Sequence, residues 1–157
     1  MKIIRVILIV VLFLMIVPRD VQAEEFGRVY FYYIDNTSEC VEKYYEYNMN
    51  DFKSIDEKSY FLLKELFDNS NNDITYVPDE TNIIWTRVEN GLCIINISEE
   101  GFFSGGRYSE DKFINQLLKT VWSLNGIDSI IIYIEGIESN LSGGIDFSVY
   151  KKCNYDF

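Results

Sequence analysis

Histidine is absent from the 157 residues. That absence removes serine–histidine and cysteine–histidine nucleophile pairs, and every histidine acid, base or metal ligand. Cysteine occurs only at Cys40, Cys93 and Cys153, and three thiols without an imidazole make no zinc site. A nucleophile elbow, a Walker loop and a dinucleotide fingerprint are all missing. The expectation is a non-enzyme without a cofactor. Basic residues are few, with 14 Lys and Arg against 25 Asp and Glu and a net charge of −11. Such a balance argues against nucleic acid and against an anionic membrane surface, both of which call for cationic side chains. It suits a basic partner or a cation-rich wall matrix, although acidity also simply keeps a small secreted domain soluble.

Long apolar runs are also scarce. The longest, residues 6–17, follows a basic start at Lys2 and Arg5 and precedes Val21-Gln22-Ala23, with small residues where a signal peptidase needs them. These features predict a signal peptide over residues 1–23. Twelve apolar residues fall short of the ~20 that span a bilayer as a helix, although an uncleaved anchor stays open as the alternative. No cysteine lies near the cleavage point, so no lipid anchor is expected there. The mature chain is then exported, without an integral span, and belongs in the cell envelope. Cleavage removes three basic residues and one acidic residue, which takes the net charge from −11 to −13. Residues 24–157 leave room for one domain and hardly two.

Residues 83–136 organise the rest. Asn90-Gly91 between two apolar runs is a strong hairpin signal, because both central residues of a type I′ turn need positive φ. A two-residue loop also sets the register: Glu89 faces Leu92, Val88 faces Cys93, Thr86 faces Ile95 and Ile84 faces Ile97. Ile84, Val88, Cys93, Ile95 and Ile97 then share one apolar face. Downstream, a helical stripe through Phe113, Leu117, Val121 and Leu124 predicts a helix over residues 109–124, stopped at Asn125-Gly126. The β-branched residues 129–135 predict a strand ending at Gly136. Upstream, strands are expected at residues 28–35 and 41–47, after a short disordered lead over residues 24–27. Ser54 and Glu57 have capping-box spacing for a helix to about residue 68. A short edge strand is expected at residues 145–150. Two helices with these strands give an α+β domain: a small mixed or antiparallel sheet with both helices on one face.

The order of these pieces resembles the sporulation and spore germination (GerMN) domain. The matching residues are Arg28-Val29-Tyr30-Phe31, Val77-Pro78-Asp79-Glu80-Thr81, Asn90-Gly91, Ile95-Asn96-Ile97-Ser98, Gln116-Leu117-Leu118-Lys119-Thr120-Val121, Asn125-Gly126-Ile127 and Ile132-Tyr133-Ile134-Glu135-Gly136. The chain departs from the family with Asn96 in place of Asp, Asn125 in place of Pro and Glu80 in place of Gly. The resemblance covers residues 26–150 and implies a fold related to the ring-building motif. It also implies a role in sporulation or germination through protein–protein contact or self-assembly. Lateral packing would use the edges at residues 41–47 and 145–150. Many family members carry two such domains in tandem.

Candidate sites follow from the remaining residues. Aromatics reach 16% and cluster in the first two strands. Tyr30, Tyr32, Tyr44 and Tyr45 are candidate contacts for a protein partner or, in a second reading, stacking surfaces for peptidoglycan. Alternation puts Val29, Phe31 and Tyr33 on one face and Tyr30, Tyr32 and Ile34 on the other. The second face should therefore be covered by a partner or ligand, or is simply an aromatic-rich strand. Cys93 falls on the apolar face, so Cys40 and Cys153 are the two that could pair outside the cell; three free thiols are the alternative. Glu99 and Glu100 beside Phe102, Phe103 and Tyr108 could form a carboxylate hydrolase, or simply leave a strand into solvent. Residues 68–73 alternate oxygen ligands like a calcium loop but place Asp73 where the turn needs Gly.

Overall fold

The computed structural model describes residues 24–68, 73–98, 106–137 and 149–156. Its elements are β1 (Phe26–Ile34), β2 (Cys40–Asn48), α1 (Ile55–Asp68), β3 (Ile83–Glu89), β4 (Leu92–Ile97), α2 (Gly106–Trp122), β5 (Ser129–Ile134), β6 (Tyr150–Lys151) and a 3-10 turn (Lys152–Asn154). The α+β class is as expected, but the strands divide into two sheets. β1 and β2 form an antiparallel ribbon of their own, while β3-β4-β5-β6 make a mixed sheet. Within it β4 and β5 run parallel, joined through α2, a connection that needs a helical crossover.

Local chemistry sets most boundaries. Ser54 Oγ accepts the Glu57 N–H at 3.2 Å, the cap expected of this spacing, while the Glu57 carboxylate reaches one residue past the N-cap and accepts the Lys53 N–H at 2.8 Å. Asn90 and Gly91 have φ of 51° and 81°, as the type I′ turn requires. Glu89–Leu92, Val88–Cys93 and Thr86–Ile95 pair as predicted. Beyond Trp85 the register shifts: Ile83, not Ile84, faces Ile97, and Ile84 is bulged out and 45% exposed. The bulge trades one isoleucine for its neighbour on the buried face, a choice that alternation cannot foresee. A second tight turn follows β5. Glu135 and Gly136 have φ of 51° and 76°, and Ile134 and Ile137 exchange both backbone hydrogen bonds. The Asn96 side chain, 3% exposed, accepts the Gly136 N–H at 2.8 Å and holds this turn.

β1 begins two residues before expectation. Phe26 and Gly27 pair with Asn48 and Tyr47, and Glu25 accepts the Met49 N–H, so the expected disordered lead is ordered from Glu25 onward. α2 starts at Gly106, three residues early. β6 is seen only as Tyr150–Lys151; the rest of the expected strand at residues 145–150, apart from Val149, lies outside the described residues.

One apolar cluster joins both sheets to both helices: Val29 and Phe31 from β1, Leu62, Leu63 and Leu66 from α1, Phe113, Leu117 and Val121 from α2, and Cys93, Ile95, Ile130 and Ile132 from the mixed sheet. α2 is therefore buried on far more than one stripe, and Glu110, Gln116 and Thr120 are buried with its apolar residues.

Glu80 has φ of 69°, in the left-handed region that favours glycine, at the position where the family has Gly. A Glu80→Gly variant should gain about 0.5–1 kcal/mol by removing the Cβ penalty, read as a higher midpoint in urea at unchanged slope.

Candidate functional site: the ribbon face and its groove

The ribbon meets α2 along one line of polar side chains. Gln116 and Thr120 on one flank of α2, and Ser123 just past its end, recur at helical spacing opposite the outer edge of β1. Ser123 Oγ accepts the Arg28 N–H at 2.8 Å, and Thr120 Oγ1 accepts the Tyr30 N–H at 3.2 Å. Gln116 Nε2 donates to the Tyr30 carbonyl at 3.1 Å, while its Oε1 accepts the Tyr76 N–H at 2.8 Å. At the next position, Tyr32 and Ile74 exchange two backbone hydrogen bonds of 3.0 Å. The β1 edge is thus closed from Arg28 to Tyr32 without a neighbouring strand. A similar device caps β3, where the Asp56 carboxylate accepts the Val88 N–H at 2.7 Å. The outer edge of β2 differs. Residues paired with Arg28, Tyr30 and Tyr32 are Glu46, Tyr44 and Glu42. Their backbone groups point away from β1, and no described strand pairs with them.

The aromatic candidates are not one patch. Tyr30, Tyr32 and Tyr44 share the outer face of the ribbon, whereas Tyr45 lies on the opposite face, as period-two alternation requires for adjacent residues. Tyr44 is 49% exposed and packs on Tyr30, with ring centroids 5.6 Å apart. Tyr32 is only 5% exposed, covered by Tyr76 and by the Lys112 ammonium 4.6 Å from its ring centre; burial pushes its hydroxyl up to about 12. Tyr45 meets Phe31 edge-on and donates to Asp73 at 2.7 Å. On the outer face Tyr32 is therefore covered by the chain's own residues, while Tyr30 is half-buried and Tyr44 stays exposed.

Cationic side chains gather here, which the sequence reasoning missed. Two shallow clefts of about 330 and 280 Å³ lie along the ribbon–α2 line and share Lys119. Arg28 and Lys152 line the first, and Lys112 lines the second. Arg28 pairs with Glu46 at 2.9 Å, and Lys119 with Glu42. The usable signal was the helical spacing of Gln116, Thr120 and Ser123 beside the apolar stripe of Phe113, Leu117 and Val121, which marks a flank facing something polar.

All three cysteines are free. Cys40 lines the cleft beside Lys112, and Cys153 lies beyond the other end of α2 next to Asn154, so the Cys40–Cys153 disulfide is not formed. A bridge needs Cα atoms within about 7 Å, and these positions flank different ends of the helix. Cys93 is fully buried, and burial pushes its thiol up to about 12. A thiol reagent should label the exposed Cys153 fast in the native protein and Cys93 only after denaturation, counted by mass spectrometry. Glu99, Glu100, Phe102 and Phe103 lie outside the described residues; Tyr108 is 60% exposed. Most of the calcium-like loop also lies outside them, but Asp73 is engaged by Lys43 and Tyr45, and Asp68 by Lys64. Among the described residues no group of three carboxylate or thiol ligands converges, and no helix is long and apolar enough to cross a membrane.

The fold resembles solved structures. A Clostridium perfringens protein described as a lipoprotein superposes with a TM-score of 0.58 at 15% identity, covering 88% of this chain and 94% of that one. The first GerMN domain of the sporulation protein GerM from Bacillus subtilis gives 0.55 at 18% identity, over 77% and 93%. The tandem GerMN domains of the same protein give 0.59 at 11%, over 85% of this chain but 47% of theirs, so this chain spans about one of the two. No curated protein matches in sequence. The profile of the Germane family, sporulation and spore germination, matches residues 28–140. With that match over most of its length and the GerMN architecture in its fold, the chain belongs to the sporulation and spore germination family.

Proposed function

We propose that this chain is an exported, non-enzymatic domain that serves sporulation or spore germination through protein–protein contact at the cell envelope. The observation that carries this reading is the asymmetry of the ribbon. One edge is sealed by helix side chains, and the other offers the backbone of Glu42, Tyr44 and Glu46 without a described partner strand. An open edge is a ready template for pairing with another chain. Contact between different surfaces of successive copies would close into a ring or continue as a filament, depending on the rotation per subunit. The family membership supports the process, the apolar run of residues 6–17 after a basic start supports export, and the lipoprotein description of one structural relative fits it.

Deleting the gene should lower heat-resistant spore titre by orders of magnitude, with rescue on restoration. Tyr44→Pro should leave the domain folded, because its N–H faces away from β1 and proline is tolerated on edge strands. It should nevertheless fail to rescue, and crosslinking in sporulating cells should no longer capture a partner that the parent protein captures. A normal titre in the deletion strain would remove the sporulation role. Full rescue by Tyr44→Pro would remove the β2 edge as the contact.

A further inference from the structure

We propose that the groove between the ribbon and α2 binds an anionic glycan, a saccharide chain bearing carboxylate or phosphate groups. The groove lies on the β1 side of the ribbon and shares Glu42 with the open β2 edge. Eleven Lys and Arg remain in residues 24–157, and four of them, Arg28, Lys112, Lys119 and Lys152, border this one groove. Against them stand Glu42 and Glu46, so the groove is positive on a chain whose mature charge is −13. Such segregation draws an anion and focuses it into the cleft.

The two ends carry the cations best placed for a ligand. Lys112 rests over the Tyr32 ring at 4.6 Å, and Lys152 Nζ donates to the Trp122 carbonyl at 2.8 Å; neither has a carboxylate partner among the described residues. Each ammonium keeps donors to give. Trp122 lies ten positions on from Lys112, so the two charges lie roughly 15 Å apart along α2 at 1.5 Å per residue. Lys119 stands between them, lining both clefts. The spacing suits an extended chain with repeated charge.

The closed β1 edge decides what kind of chain. Gln116, Thr120, Ser123 and Ile74 already occupy the backbone groups of Arg28, Tyr30 and Tyr32 that border the groove. A peptide cannot add there as a strand, and recognition falls to side chains. Cations alternate with the amides of Asn115 and Asn125, which match sugar hydroxyls, and the Tyr30 ring lines the cleft beside Arg28 and Lys119. Charge, amide and ring in alternation fit an anionic sugar chain better than an acidic peptide.

The test is titration of the purified protein with an oligogalacturonate hexamer, followed by calorimetry, with neutral dextran and a poly-glutamate peptide as comparisons. The hexamer should bind at low salt and weaken as salt screens the contact, while dextran does not bind and the peptide binds more weakly. The double variant Lys112→Gln, Lys152→Gln should lose roughly tenfold or more in affinity, the expected scale for two desolvating ionic contacts. Lys64→Gln, at an exposed position of α1 that lines neither cleft, should change nothing, and circular dichroism confirms that both variants fold. No binding of the hexamer, equal binding of dextran, equal or tighter binding of the peptide, or an unaffected double variant would each overturn the proposal.

Discussion

A Gln116→Leu variant should lose about 2–4 kcal/mol of stability. Leucine has nearly the volume of glutamine, so the loss is not a cavity effect. Gln116 is 1% exposed and holds two backbone groups at once, the Tyr30 carbonyl and the Tyr76 N–H. Removing the amide strands both in a dry site, and each unsatisfied group costs about 1–3 kcal/mol. Thermal unfolding followed by circular dichroism should show a midpoint lower by roughly 8–15 °C for a domain of this size. Thr120→Val removes one acceptor, and the smaller loss expected of it ranks the two positions. A Gln116→Leu midpoint within error of the parent would mean that the helix side chains do not close the β1 edge. The same variant should also expose that edge to pairing, seen as aggregation on heating.

Gly27→Ala should cost about 1–3 kcal/mol by overpacking. A Cβ at Gly27 would stand 2.6 Å from Leu62 Cδ1, 3.1 Å from Leu62 Cδ2 and 3.2 Å from Leu124 Cδ2. Both leucines are fully buried, so neither has open space to swing into. The ribbon approaches the helices this closely because position 27 has no side chain. Leu62→Ala in the Gly27→Ala background should cost less than in the parent, since the new methyl fills part of the space vacated; chemical denaturation of the four proteins measures that coupling. Strict additivity, or a neutral Gly27→Ala, would show that the ribbon sits farther out.

These two residues also mark where sequence reasoning stopped. Gly27 reads as part of a loose lead, and Gln116 as one more polar residue on a helix. Both matter because of what the fold brings against them, namely a leucine from α1 and a strand edge from the start of the chain. Conversely, the Asn90-Gly91 turn, the capping box at Ser54 and the apolar stripe of α2 were legible, because each depends on residues within a few positions of one another. The left-handed Glu80 was legible only through the family resemblance, which places Gly there.

Composition and local pattern established the acidic balance, the absence of histidine chemistry, the helices, the main hairpin and the family. Tertiary structure decided the division of the strands into two sheets, the bulge that exposes Ile84, the burial of Tyr32 under Tyr76, and the convergence of Arg28, Lys112, Lys119 and Lys152 on one groove. The physical reason is range. Turn, cap and helix stripe are set by the dihedral and hydrogen-bond preferences of near neighbours, whereas a groove is made by side chains some 90 positions apart whose meeting depends on how the whole core packs.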